Sequence, residues 1–175
     1  MKKILLAAAL LAAPAAAAAQ DSGDPLVGST RTLYESVKRN VTAAAEQMPE
    51  EHYGFRPTDE VRTFGQLIGH IANAHYSFCS TALGEQSPLR ENLEQTKTTK
   101  DAIVAALKDS FTYCDRAYTT LTDAQAAQMT KVFGADQPRL YALTFNVAHD
   151  NEHYGNIVTY MRMKGMVPPS SQRGE

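Results

Sequence analysis

The sequence predicts an all-α protein, a four-helix bundle. Apolar side chains recur at spacings of three and four residues along four long segments, as on the buried face of a helix. No segment shows the alternation of apolar and polar residues that is typical of a half-buried strand. Residues 20–167 are numerous enough for one domain with its own core, so we expect the four helices to pack against one another.

The N-terminal segment predicts an export signal. Lys2 and Lys3 precede an apolar run and then a series of small residues that ends before Gln20, the order found in signal peptides. The run is too short and too rich in alanine for a membrane anchor. We therefore expect residues 1–19 to be cleaved and the mature protein to be periplasmic, without a membrane anchor.

The charge of the mature chain argues against nucleic acid as a partner. Without Lys2 and Lys3, 15 basic residues face 19 acidic ones, a net charge of −4. Phosphate binding requires a clustered positive surface instead.

The first two helices have clear ends. The first is expected over residues 29–48. The second begins directly after Thr63, which matches a capping box with Gln66, and runs to Leu83 before Gly84 ends it.

The second half of the chain predicts two more long helices. A polar link over residues 85–97 leads to the third helix, which ends near Leu121. Residues 122–137 predict one short helix and a turn at Gly134. The fourth helix is expected over residues 138–164, and residues 168–175 are expected to be a disordered tail.

Histidines on two of these helices suggest a metal site. His149 and His153 are four residues apart, so their imidazoles share one helix face and can bind one divalent ion. A third ligand can come from His70 or His75 in the second helix. His75 lies near the middle of the apolar stripe, whereas His70 lies about 100° to one side. His70, Asn146, His149 and His153 thus form a polar seam that predicts a pocket beside the core.

The segment His149-Asp-Asn-Glu152-His153 also matches H-x-x-E-H, the inverted zinc-peptidase pattern with a glutamate base. Those peptidases take a further acidic ligand from well downstream in a much larger domain. Only residues 154–175 follow here, so the pattern favours a peptidase only weakly.

The chain resembles a known family in four motifs. These are Arg56-Pro57, Thr63-Phe-Gly-Gln-Leu-Ile-Gly-His70, His149-x-x-x-His153-Tyr-Gly-Asn, and Met161-Arg-Met-Lys-Gly-Met-Val-Pro-Pro. In order and spacing they are similar to the DinB superfamily of metal-binding four-helix proteins. The resemblance implies an up-down-down-up path and a divalent metal held by His70, His149 and His153. Three neutral imidazoles suit zinc, nickel or iron, and we expect Zn²⁺ or Ni²⁺. The resemblance leaves His75 as a core residue or as a residue that is hydrogen-bonded next to the metal ligands.

The resemblance implies one function, and the residues suggest two alternatives to it. Characterised relatives include thiol S-transferases and a thiol-dependent isomerase, but low-molecular-weight thiols belong mainly to the cytoplasm, in conflict with export. A metal-activated water would serve hydrolysis of a small molecule instead. Glu152, about 60° from His149 on the helical wheel, is then a better proton acceptor than Asp150, at about 100°. A non-catalytic module that binds a metal or small ligand is the third alternative, and a homodimer is compatible with each.

The two cysteines predict a disulfide if the helices follow the up-down-down-up path that the resemblance implies. Cys79 and Cys114 each lie sixteen residues after a helix start, at Thr63 and Thr98. If the second and third helices are parallel, as the resemblance implies, both cysteines lie at similar height. In an oxidising compartment we expect them to form a disulfide. The alternative is two small buried core residues.

Overall fold

The structure is a computed structural model that describes residues 23–172. The expected signal peptide, residues 1–19, lies outside the described residues. Within the described range, none of the helices combines the length and the apolar character needed to cross a membrane.

The all-α class and the four long helices are confirmed. The long helices are α1 (Pro25–Gln47), α2 (Phe64–Leu83), α4 (Lys100–Thr120) and α6 (Arg139–Met163), and two short ones are α3 (Leu93–Thr96) and α5 (Asp123–Ala126). Thr63 and Gln66 form the expected capping box of α2, and Gly84 ends α2 with a positive φ of 73°.

Helix α1 begins four residues earlier than the sequence suggested. Pro25 occupies its first turn, where its missing N–H is not needed. The amide N–H groups of Leu26 and Val27 donate to the carboxylate of Asp123, at 3.0 and 2.9 Å. A side chain from α5 therefore caps α1, and such a distant partner is not visible in local sequence.

Helices α2 and α4 run parallel. Gly65, at the start of α2, lies against Ile103, near the start of α4. Farther along both helices, Cys79 and Cys114 are joined in a disulfide with their Cα atoms 5.2 Å apart. The equal heights expected for the two cysteines are therefore found.

Helix α6 runs antiparallel to α2. The Tyr160 hydroxyl, near the end of α6, donates to the Arg62 carbonyl just before α2, at 2.9 Å. Phe145, near the start of α6, packs against Phe78, near the end of α2, with ring centroids 5.2 Å apart.

Helix α1 runs antiparallel to α4. Lys38 pairs with Asp115 late in α4, whereas Glu46, farther along α1, pairs with Lys108, which precedes Asp115. Together with the directions of α2 and α6, this gives the up-down-down-up path, which is confirmed. The core lies between the four long helices, and its fully buried side chains include Ile68, Phe111, Leu143 and Ile157.

A two-stranded hairpin corrects the expectation that the chain has no strands. Strands β1 (Met129–Val132) and β2 (Ala135–Pro138) pair antiparallel, with Val132 opposite Ala135. Phe133 and Gly134 form the two-residue turn with φ of 50° and 81°, as in a type I′ turn. Each strand has only four residues and only Val132 is buried, so the strands are too short to show an alternating pattern.

The C-terminal segment also differs from expectation. Pro169–Ser171 form a 3₁₀ turn, and the Ser170 N–H donates to the Tyr154 hydroxyl at 2.9 Å. The Gln172 amide donates to Gln47 of α1 at 2.8 Å. The expectation of a disordered tail is therefore wrong for residues 168–172, and residues 173–175 lie outside the described part.

Candidate metal centre

Three histidine rings meet between α2 and α6. His70 Nε2 and His153 Nε2 each lie 3.1 Å from His149 Nε2. Three imidazole nitrogens bound to one tetrahedral zinc, at about 2.0–2.1 Å each, would be separated by about 3.3 Å. The structure thus brings together His70, His149 and His153 at a spacing suited to one metal ion.

Hydrogen bonds among the three rings cannot account for this arrangement. A neutral imidazole nitrogen has either one hydrogen to donate or one lone pair to accept. His149 Nε2 faces both other Nε2 atoms, so it can satisfy only one of them. A cation between the rings would instead accept a lone pair from each, so the residues present fit a divalent metal.

The electrostatics keep the rings in the form that binds metal. Burial, with the positive charge of Arg62 and the neighbouring His149, lowers the pKa of His70. Burial, the two other histidines and Arg62 lower the pKa of His153 to about 4. Both rings are therefore neutral near pH 7, as metal ligation requires.

A carboxylate lies behind His70. Its Nδ1 is 3.4 Å from Glu94 Oε2, while Glu94 Oε1 accepts from Arg62 Nε at 2.9 Å. Outer carboxylates of this kind orient a metal-binding imidazole and increase its basicity. This role of Glu94 could not be predicted from the sequence, because Glu94 belongs to the link between α2 and α4, which has no helical periodicity of its own.

Two residues of α2, one before and one after His70 in the sequence, position Glu94. The Asn73 side-chain oxygen accepts from the Leu93 amide at 2.9 Å, and the Asn73 amide donates to Asn92 at 2.7 Å. One turn earlier, a Cβ atom on Gly69 would lie 2.7 Å from Glu94 Cα. Only glycine at position 69 lets α3 approach α2 this closely.

His75 belongs to a buried polar pair rather than to the three-histidine cluster. Its Nε2 lies 3.0 Å from both carboxylate oxygens of Asp150, and its Nδ1 lies 2.8 Å from Ser110 Oγ. His75 and Asp150 are both fully buried. Burial alone would raise the pKa of Asp150, but the charge and hydrogen bonds of His75 and His149 lower it overall. Asp150, the alternative proton acceptor, is therefore a buried hydrogen-bonding partner of His75.

Asn146 lies in the core, although the helical wheel predicted it beside a pocket. It is fully buried and does not line the cleft beside His153, contrary to the expectation from the polar seam. Its amide donates to the Tyr118 hydroxyl at 3.2 Å and lies 3.4 Å from Asp150 Oδ2. Asn146 thus extends the polar contacts of Asp150 into the core.

An open cleft adjoins the histidine cluster. It has a volume of about 750 Å³, and its walls include Arg62, Glu94, Glu152, His153 and Tyr160. The exposed Glu152 lies on this wall next to His153. The cleft therefore offers a small molecule access to one of the three histidines, beside a free carboxylate.

Comparison with known proteins identifies the class. The family model of the DinB superfamily matches residues 33–157, and the chain belongs to that family. Its four-helix path and three-histidine cluster agree with the resemblance seen in the motifs.

Individual relatives support this assignment. The chain is 25% identical over 135 residues to the uncharacterised protein YjoA of Bacillus subtilis strain 168, covering 73% of this chain and 84% of that protein. The fold is similar to the crystal structure of a DinB-like protein from Bacillus cereus ATCC 10987, with a TM-score of 0.70, 18% identity, and coverage of 80% and 93% of the two chains. It is also similar to the crystal structure of Bacillus subtilis YjoA, with a TM-score of 0.64, 20% identity, and coverage of 86% and 100%.

Proposed function

We propose that this DinB-family protein binds one divalent ion, Zn²⁺ or Ni²⁺, through His70, His149 and His153 and hydrolyses a small-molecule substrate. The observation that carries the proposal is the convergence of three Nε2 atoms beside an open cleft. When bound, such an ion supplies Lewis acidity at coordination positions that the protein leaves open.

The protein side chains around the cleft have distinct tasks in this proposal. Glu152 lies on the cleft wall and accepts a proton from the attacking water. Arg62 brings positive charge to the same wall and attracts an anionic group of the substrate. Glu94 holds the ring of His70 through Nδ1.

The disulfide favours hydrolysis over the thiol-transfer alternative. Cys79 and Cys114 are bonded and buried, and disulfides persist mainly in oxidising compartments. This supports a periplasmic location, where low-molecular-weight thiol cosubstrates are scarce. The third possibility, a non-catalytic metal or small-ligand module, uses the same three histidines.

Metal content tests the first half of the proposal. The mature protein is purified without a metal-affinity tag and analysed for metals, together with His70→Ala, His149→Ala and the control His52→Ala. We expect about one divalent ion per chain, lost in the first two variants. The control retains the metal, because His52 lies in a separate 3₁₀ turn, Glu50–His52. A protein that contains no metal and takes up neither zinc nor nickel on titration would contradict the site.

Turnover tests the second half. The metal-loaded protein is assayed on a panel of p-nitrophenyl esters and phosphate esters, before and after chelation. We expect activity that is lost with the metal, restored by its return, and reduced about 100-fold or more in Glu152→Gln. A fully loaded protein without turnover on the panel would favour the non-catalytic module.

A further inference from the structure

An aromatic cluster lies beside the histidine cluster. The ring of Phe78 meets the ring of His149 edge to face, at 5.7 Å between centroids. Phe78 and Phe145 are 5.2 Å apart, and Phe133 lies 5.9 and 5.0 Å from these two rings. We call Phe78, Phe133 and Phe145 the aromatic wall. It is continuous with the metal site through a direct ring contact.

Phe133, the residue that the hairpin contributes to the aromatic wall, combines an exposed ring with an unfavourable backbone conformation. Phe133 is 71% exposed, so its ring gains little from burial. Its φ of 50° lies in the left-handed region, where glycine and asparagine are preferred at this turn position. Of the residues that the structure describes, no other non-glycine residue has a positive φ. An exposed aromatic ring kept at a strained position is typical of a functional contact rather than of core packing.

The histidine cluster has a charged side and an aromatic side. Arg62, Glu94 and Glu152 line the cleft beside His153, whereas the aromatic wall adjoins His149. The rings of the wall stand steeply to one another, with interplanar angles of 72° and 77° at Phe133. A planar group placed there can meet both a ring face and a ring edge, the two favourable aromatic geometries.

We propose that the aromatic wall binds an aromatic group of the small-molecule substrate, whose polar reacting group lies at the three histidines. This inference rests on the proposed function and narrows its substrate class to molecules with an aromatic ring next to a polar, metal-binding group. The three rings contact one another directly, so the aromatic group packs on their outer side, where Phe133 presents the most exposed surface.

Two probes with the same metal-binding group test the subsite. Acetohydroxamate carries a methyl group and benzohydroxamate a phenyl group on the same chelating unit. Calorimetric titration of the zinc-loaded mature protein should give a dissociation constant at least tenfold lower for benzohydroxamate. Phe133→Ala and Phe145→Leu should each weaken benzohydroxamate binding about fivefold and leave acetohydroxamate binding unchanged. Phe133→Tyr should retain the preference, because it keeps the ring.

Controls separate this inference from the metal site. Leu33→Ala removes an apolar side chain that is 60% exposed on α1 and should change neither affinity. Metal analysis of every sample precedes the titrations. A protein without metal would overturn the proposed function and this inference together. Loaded protein that binds both probes equally, or whose phenyl preference survives both Phe133→Ala and Phe145→Leu, would overturn the inference alone.

Discussion

Substitution of Gly69 by alanine should weaken metal binding without touching a ligand. The added Cβ would lie 2.7 Å from Glu94 Cα and 3.0 Å from Glu94 N, both backbone atoms. Ordinary contact begins near 3.4 Å, so α3 must withdraw by about 0.7 Å or more. The 3.4 Å contact between Glu94 Oε2 and His70 Nδ1 is already long, and this shift takes it beyond hydrogen-bonding distance.

Two effects follow from this shift and have different sizes. Loss of an outer carboxylate typically weakens metal binding by about 10–100-fold. Overpacking costs about 1–3 kcal/mol, partly offset by the better helix propensity of alanine, which is worth up to about 1 kcal/mol. We therefore expect Gly69→Ala to lower zinc affinity by at least tenfold and the free energy of unfolding by about 1–2 kcal/mol.

Zinc affinity measured against a chromophoric chelator and urea unfolding of the metal-free protein check these values. Gly155→Ala is the matched control, because nothing lies within 4 Å of a Cβ at that position of α6. Glu94→Gln keeps the packing of α3 and should weaken zinc binding with little loss of stability. The reasoning fails if Gly69→Ala binds zinc like the native protein, or if Gly155→Ala loses as much affinity.

Three further predictions concern stability. Reduction of the Cys79–Cys114 disulfide, which closes a loop of 35 residues, should lower the free energy of unfolding by about 4 kcal/mol in urea; two free thiols per chain in denatured, unreduced protein would contradict the link. Asp150→Ala should cost about 3–5 kcal/mol, because it leaves His75 buried without its partner. Replacing His75 and Asp150 together by leucine should cost clearly less than the sum of the single changes, and additive losses would refute the pair. The pKa of His153, lowered to about 4, lies below the unfolded value of about 6.5, so the unfolded chain binds more protons between these pH values. The thermal midpoint of metal-free protein should therefore be highest above pH 6.5 and fall as the pH decreases towards 4, and a flat profile over this window would contradict the assignment.

Long periodic segments explain why much of the fold could be predicted. Each long helix has several turns of apolar repeats, and the capping box at Thr63 fixed one boundary. The hairpin could not be recognised in the same way, because its eight strand residues contain one buried side chain. Its turn has Phe133 where asparagine or glycine would have given a recognisable signal.

The site could be predicted only as far as single helices define it. The spacing of His149 and His153 is a property of α6 alone, whereas the choice of His70 depended on the family resemblance. The position of His75 within the apolar stripe indicated that it needs a buried partner. Which carboxylate serves as that partner depends on how α6 is rotated against α2 and α4. The contact of Glu94 with His70 depends in the same way on how the four-residue helix α3 packs against α2.

Helix α2 is the long helix that contributes residues both to the disulfide and to the three-histidine cluster. The disulfide joins it to α4, and a metal ion at the three histidines would join it to α6. Helix α1 takes part in neither link and is held by packing and by contacts such as Lys38 with Asp115. With such an ion bound, α2, α4 and α6 would form a unit closed by two cross-links, and α1 would be the long helix able to separate from the bundle while both cross-links stay intact.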